Sequence, residues 1–324
     1  MTDPMIKSQV TITNPQVVAP PKPCGLEYTV GNTPLLPLRR VTADLSPRVQ
    51  IYAKAEWFNP GGSVKDRPAF NILRSALLEG QLLPGKRLLD STSGNMGIAY
   101  TTFGAAMGVP ITLALPSNAS QERISILRAL GAELILTDSL EGSDGAIRVA
   151  RQMASENPEL YYYANQYDNS ANWQAHYLTT GPEILQQTSE RITHFVAGLG
   201  TSGTIMGVGT YLGEYKPDVQ IIAFQPDSPF HGLEGLKHIP SSIKPCFFDP
   251  SLPDRILEVQ TEGAYEMVLR LAREEGLFVG ISSGAAVVAA LQVAEDLEEG
   301  VVVTVFPDAG YKYLSDKALW EAAQ

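Results

Sequence analysis

Cysteine is nearly missing from this chain: among 324 residues only Cys24 and Cys246 occur. Two are too few for a disulfide framework, and neither has His or Cys neighbours at metal-ligand spacing, so both read as small hydrophobes and no metal site is expected. No block of Lys and Arg occurs either, and 35 acidic against 24 basic residues leave a formal charge of −11. That balance argues against nucleic acid or an anionic membrane as the main partner. Long hydrophobic runs are absent as well. None approaches the roughly 18 residues of a membrane span, and the opening Met1-Thr2-Asp3-Pro4-Met5-Ile6-Lys7 lacks the apolar core of a signal peptide. The expectation is a cytoplasmic protein with small-molecule partners. No internal repeat or low-complexity block is found.

What is present is an ordinary globular composition, 44% hydrophobic and 18% charged, in a chain long enough for two lobes with a site between them. Residues 1–27 mix polar residues with Pro15, Pro20, Pro21 and Pro23, a composition that reads as an extended arm. Beyond it, short β-branched runs alternate with helix-period segments, the pattern of an α/β fold. Strands are expected at 49–53, 87–89, 111–114, 133–136, 160–163, 194–197, 220–224 and 301–306. Helices are expected at 68–79, 97–107, 120–130, 142–156, 203–215, 263–275 and 284–297. The proline-rich stretch 227–253 reads as a long irregular connection, of a length that is usually functional or mobile. Tyr161-Tyr162-Tyr163 reads as a strand with rings on both faces, and His176 and His194 as structural histidines.

Four segments carry chemistry. Asn59-Pro60-Gly61-Gly62-Ser63-Val64-Lys65-Asp66-Arg67-Pro68 sets one lysine on a glycine-rich turn before a helix, which makes Lys65 the candidate nucleophile, although an ordinary surface turn uses the same residues. Ser91-Thr92-Ser93-Gly94-Asn95-Met96-Gly97 gathers amides and hydroxyls at a helix N-terminus, where anions bind and where caps also form. Gly198-Leu199-Gly200-Thr201-Ser202-Gly203-Thr204 follows an apolar strand and opens another helix; it lacks the P-loop lysine and the dinucleotide spacing. Gly280-Ile281-Ser282-Ser283-Gly284 repeats the pattern of small hydroxyl residues before a helix. A monophosphate cradle beside a Schiff-base lysine suggests pyridoxal phosphate, and a serine facing its pyridine nitrogen would favour elimination and replacement at the β-carbon.

With those segments in hand, the sequence resembles the fold-type II pyridoxal-phosphate enzymes, the tryptophan synthase β-like α/β fold, and within them the cysteine synthases, most closely the B type. The resemblance runs from Gly31-Asn32-Thr33-Pro34-Leu35 to Tyr313-Leu314-Ser315, through Gly62-Ser63-Val64-Lys65-Asp66-Arg67, Thr92-Ser93-Gly94-Asn95, Thr180-Gly181-Pro182-Glu183-Ile184 and Gly280-Ile281-Ser282-Ser283-Gly284. It implies two open twisted lobes with the cofactor between them: a large lobe of residues 28–57 plus 169–324 and a small mobile lobe of residues 58–168. It implies that Lys65 carries the aldimine and moves the Cα proton, and that Asn95 meets the ring hydroxyl. Gly200, Thr201, Ser202, Gly203 and Thr204 then hold the phosphate, and Ser282 faces the pyridine nitrogen. Thr92, Ser93, Asn95 and Gln166 hold the substrate α-carboxylate, and Asp308 lies toward the pyridine side. Met96 stands where these enzymes commonly have threonine, so altered affinity or substrate choice is expected beside that carboxylate.

The implied reaction converts O-acetylserine and sulfide, or thiosulfate, to cysteine and acetate through an aminoacrylate. O-phosphoserine as donor and cystathionine β-synthase or dehydratase chemistry are the alternatives. The segment 225–238, which places Asp227 and Glu234 against Lys237, favours the acetyl ester, and the chain's end soon after Ser315 leaves no room for a regulatory domain. A homodimer and a serine acetyltransferase C-terminal tail are the implied protein partners. A non-enzymatic regulator on the same scaffold would have no need of Lys65.

Overall fold

The computed structural model describes residues 25–92 and 94–321; the arm through residue 24, with Cys24, and Ser93 lie outside the described residues. In chain order the elements are β1 (Leu35–Leu38), β2 (Val49–Ala55), α1 (Asp66–Leu78), β3 (Arg87–Ser91), α2 (Asn95–Met107), β4 (Ile111–Pro116), α3 (Gln121–Ala129), β5 (Glu133–Thr137), α4 (Gly142–Glu156) and β6 (Tyr161–Tyr163). There follow α5 (Ala171–Ala175), α6 (Gly181–Gln187), β7 (His194–Gly198), α7 (Gly203–Tyr215), β8 (Gln220–Pro226), β9 (Arg255–Val259), α8 (Thr261–Arg270), α9 (Ile281–Ala294), β10 (Gly300–Phe306) and α10 (Lys317–Glu321).

The strands form two sheets. A six-stranded sheet has the order β1-β2-β10-β7-β8-β9, and a four-stranded sheet the order β5-β4-β3-β6. Every pairing is parallel except β1 with β2. Interior strands of parallel sheets are covered on both faces, which explains their nearly continuous apolar runs. β10 is buried at all seven positions and β4 at all six. Alternation sends Val302 and Phe306 toward α8 and α9, and Val301, Val303 and Val305 toward α7. The small sheet packs Leu88, Ile111 and Leu113 against α1 and α2, and Leu89 and Ala114 against α4. In β6, Tyr162 faces the first of these cores while Tyr161 and Tyr163 face the second.

Two strands, the helical stretch 171–187 and α10 depart from the sequence reading. β1 carries Pro37 and β9 has three exposed residues in five, so both are edge strands without the apolar signal of the interior ones. Residues 171–187 form α5 and α6 joined by a single π-helical turn at His176–Thr180. No described helix is long and apolar enough to cross a membrane.

One buried ion network ties these elements together just behind α1. Arg67, 1% exposed, donates from Nε to Glu56 Oε2 at 2.7 Å, from Nη2 to Glu56 Oε1 at 2.8 Å, and from Nη1 and Nη2 to Glu183 at 2.7 and 2.8 Å. Lys54 Nζ lies 2.6 Å from Glu183 Oε2, and Thr33 Oγ1 donates to Glu56 Oε1 at 2.7 Å. Two cations and two carboxylates thus balance one another out of water. Burial pushes the Glu56 carboxyl up, but Arg67, the Thr33 hydroxyl and Lys54 together outweigh it and leave the group at about 2.

Because that value is depressed, the stability Glu56 contributes is full above its unfolded value near 4.5 and is lost as pH falls toward about 2. Glu56→Gln leaves Arg67 with one carboxylate fewer and is expected to cost about 3 kcal/mol near neutral pH. It should also lose less stability than the wild type on acidification through that window. Urea unfolding midpoints measured across it check both effects; parallel curves for the two proteins would contradict the assignment.

Candidate active site

Lys65 sits at the mouth of α1, where the turn from Asn59 closes through Gly62 N–H to Asn59 O at 2.8 Å. The Ser63 N–H donates to Asp66 Oδ2 at 2.9 Å and the Val64 N–H to Pro307 O at 2.8 Å, so the backbone on the N-terminal side of Lys65 is held from two directions. Arg67 holds the other side. Burial lowers the Lys65 amine below the ordinary lysine value, with the Asp308 carboxylate opposing the shift. A lowered pKa enlarges the neutral, nucleophilic fraction of an amine.

Lys65 faces a cavity of about 930 Å³. The strands that end at its walls come from both sheets: β3 leads into Thr92 and Asn95, β6 into Gln166, β7 into Gly200–Thr204, and β10 into Pro307. Ligands of parallel α/β sheets bind beyond the carboxyl ends of the strands, where helix N-termini also converge. Ser282, on the first turn of α9, completes the wall.

The turn before α7 is shaped for an anion. Ser202 adopts φ 66°, a left-handed conformation that a non-glycine residue rarely takes, and caps α7 without using its side chain. Its hydroxyl is buried with no hydrogen-bond partner. A Cβ at Gly200 would collide with the Gly235 carbonyl oxygen, so the turn and the 227–253 connection meet backbone to backbone. The Lys237 N–H also donates to Leu199 O at 2.7 Å. Thr204 Oγ1 lies 3.4 Å from Nε2 of His176, whose imidazole burial pushes down to about 3.

Across the cavity, Asp90 fixes the Thr92–Asn95 turn relative to Gln166. Its carboxylate accepts from Ser91 N–H at 2.8 Å, Gln166 N–H at 3.2 Å and Tyr100 O–H at 3.0 Å, and burial raises it to about 7 against those three donors. Gln166 donates from Nε2 to Ser91 O at 2.8 Å, and Thr92 Oγ1 accepts from Gly94 N–H at 3.3 Å. Met96 lines the cavity yet is 2% exposed and belongs to the small-sheet core.

Several residues at this cavity have no signal in a motif. Arg123 of α3 forms a two-pronged ion pair with Glu234, its Nη2 donating at 2.7 Å, and its guanidinium lies 5.4 Å from the centre of the Tyr313 ring. Lys237 Nζ stands 3.9 Å from Asp144 and 4.9 Å from the Tyr167 ring centre. The segment after β10 bonds the Lys65 turn, Asn95 and the residue that precedes α9. Asp308 Oδ2 accepts from Asn95 Nδ2 at 2.7 Å and from Tyr313 O–H at 2.8 Å, while the Asp308 carbonyl accepts from Gly280 N–H at 3.0 Å. Asp308 thus joins the Asn95 turn to the segment that opens α9.

A half-buried lysine, an anion turn with an unpartnered hydroxyl and a second helix N-terminus around one cavity define the site of an enzyme that holds a phosphorylated carbonyl cofactor. Residues 26–308 match the model of the pyridoxal-phosphate dependent enzymes, and the chain belongs to that family. Within it the chain groups with the cysteine synthases. It is 54% identical over 291 residues to the cysteine synthase of Aquifex aeolicus, covering 88% of this chain and 89% of that one. It is 43% identical over 286 residues to cysteine synthase B of Pseudomonas aeruginosa, covering 88% and 94%. The crystal structure of cysteine synthase from Entamoeba histolytica superposes with a TM-score of 0.87 at 37% identity, covering 97% of this chain and 94% of that one.

The residues present fit pyridoxal phosphate: the Ser202 hydroxyl lacks a partner that a phosphate oxygen would supply, and Lys65 lines the same cavity. Ser202→Ala removes a buried hydroxyl that bonds nothing in the protein, so the cofactor-free melting temperature should stay the same or rise. Affinity for pyridoxal phosphate should fall about tenfold, since a hydrogen bond to a charged group is lost. Equilibrium titration of the cofactor-free chain checks this; equal affinities would remove Ser202 from the phosphate site.

Proposed function

We propose that this protein makes L-cysteine and acetate from O-acetyl-L-serine and sulfide, and that Lys65 is its catalytic residue. The observation that carries the reading is the convergence of four segments, spread from residue 62 to residue 284, on one cavity around a half-buried amine. Bound pyridoxal phosphate supplies a carbonyl carbon that takes up an amine and a conjugated ring that delocalises charge from the substrate Cα.

The chain's own residues do the rest. Lys65 Nζ holds the cofactor and, once free, removes the proton from Cα. Gly200, Thr201, Ser202, Gly203 and Thr204 bind the phosphate with backbone N–H groups and hydroxyls, Asn95 donates to the ring hydroxyl, and Ser282 faces the pyridine nitrogen as a neutral partner. The turn Thr92, Ser93, Asn95 and Met96 and the side chain of Gln166 receive the α-carboxylate; the Asp90 clamp between Ser91 and Gln166 supports that assignment.

The mouth of the cavity favours the acetyl donor over a phosphorylated one. Arg123 is engaged by Glu234 and Lys237 lies beside Asp144, so the two cations that reach it are already countered by carboxylates. We assign residues 28–57 with 169–324 to the large lobe and 58–168 to a small lobe that closes over substrate. Those two ion pairs, which join α3 and α4 to the 227–253 connection, are contacts that closure would make. A homodimer is consistent with the exposed Leu178 and Tyr215, where Tyr215 stacks on Tyr211 and Tyr177 meets Tyr211 edge-on. The acetyltransferase tail as partner and a cytoplasmic location complete the reading.

Purified protein given O-acetylserine and sulfide should release cysteine. Lys65→Ala should lose the cofactor's visible absorbance and at least about 10²–10⁴-fold in turnover. Retention of both would overturn the role of Lys65, and cysteine formed from O-phosphoserine alone would overturn the donor.

A further inference from the structure

Lys312 is a cationic group beside this site that the proposed reaction leaves without a task. Its ammonium has three N–H donors and no acceptor. It uses them on Gly61 O at 3.3 Å, Gly62 O at 3.1 Å and Asn95 Oδ1 at 2.6 Å. Two of those acceptors belong to the turn that carries Lys65, and the third to the residue assigned to the cofactor's ring hydroxyl.

The consequence for Asn95 follows from donor and acceptor counting. A primary amide can turn either its oxygen or its nitrogen toward a neighbour, and the two ends are nearly the same size. Lys312 accepts nothing, so only the carbonyl oxygen of Asn95 can face it. The amide nitrogen is then turned toward Asp308, whose Oδ2 takes one of its two N–H groups at 2.7 Å. Tyr313 O–H donates to the same oxygen at 2.8 Å and braces the carboxylate from behind. One N–H of Asn95 remains, and its direction is set by the other two bonds. An ammonium on the carbonyl oxygen also polarises the amide and makes that remaining N–H a stronger donor.

We infer that Lys312 is a positioning residue for the cofactor: through the Asn95 carbonyl oxygen it orients and strengthens the N–H that Asn95 offers to the ring hydroxyl. The inference rests on the assignment of Asn95 to that hydroxyl. Asp308 and Tyr313 belong to the same device, since they hold the other end of the amide. Lys312 also donates to the Gly61 and Gly62 carbonyls, so the test separates a loss at the ring hydroxyl from a general loss at the turn.

The separation comes from a cofactor that lacks the group in question. The full-length chain, stripped of cofactor, is titrated with pyridoxal phosphate and with its 3-deoxy analogue, and binding is read from quenching of tryptophan fluorescence. Lys312→Met should weaken pyridoxal phosphate about tenfold, the scale of a charge-assisted hydrogen bond, and leave the analogue's affinity unchanged. Lys312→Arg, which keeps the donors, should recover most of the loss, and Lys312→Met in an Asn95→Ala background should add nothing further. Equal weakening of both cofactors, or none, would overturn the proposal and leave Lys312 as a brace for the turn. If Asn95→Ala itself fails to distinguish the two cofactors, the assignment of Asn95 falls, a result separate from the outcome for Lys312. Should Lys312→Met not fold, Lys312→Gln, which keeps a polar end, takes its place in the same titration.

Discussion

Arg67 is fully enclosed two residues beyond Lys65, and its guanidinium is bound on one side by Glu56 and on the other by Glu183. Most of what positions Lys65 depends on that double ion pair. The start of α1 cannot rotate without breaking charged hydrogen bonds in a space that water does not reach, and an uncompensated charge there costs several kcal/mol. The same guanidinium explains why three distant motifs travel together in the sequence. Gly31 must be glycine because a Cβ would press on both the Arg67 Nη1 and Glu183 Oε1 atoms, at 2.9 and 2.8 Å. Thr33 bonds Glu56, and Glu183 comes from Thr180-Gly181-Pro182-Glu183 at the start of α6. None of these residues enters the cavity; they hold the turn that does.

A second constraint is the meeting of two parallel sheets at the carboxyl ends of their strands. Turns there are rich in unpaired N–H groups, and four of them face one volume. The segment from Pro307 to Tyr313 closes the arrangement. Its backbone and side chains bond the Lys65 turn, Asn95 and Gly280, so the piece of chain that follows β10 sets the spacing among the cofactor segments. The 227–253 connection does the same at the mouth through Glu234 and Lys237. A long irregular stretch with five prolines is thereby held against both the phosphate turn and the small sheet.

Much of this was legible in the residues alone. Interior strands such as β4, β7 and β10 announce themselves by apolar runs because both their faces are covered, and the glycine and hydroxyl turns after them mark helix N-termini. β1 and β9 were not legible: at the edges of a sheet, a proline and exposed charges are tolerated, and the hydrophobic pattern fades. α5 and α6 escaped because the π-helical turn between them shifts the apolar register by one residue. At the site, the residues of contiguous motifs could be named from sequence. Arg123 and Lys312 could not, because each acts through a partner far away in the chain, and only the folded arrangement brings those partners together. Met96 shows the reverse limit: its departure from the common threonine was visible, whereas its share in the hydrophobic core was not.

Four lysines among the described residues are buried or half-buried around the site: Lys54 and Lys312 are each committed to hydrogen-bond acceptors, Lys237 stands beside Asp144 and the Tyr167 ring, and Lys65 lines the cavity at the start of α1. The most direct measurement is therefore to reduce the purified holoenzyme with borohydride and locate the phosphopyridoxyl group by peptide mass spectrometry. The account predicts a single label, on Lys65. A label on Lys54 or Lys312, or cofactor that dissociates unreduced from an active enzyme, would contradict it.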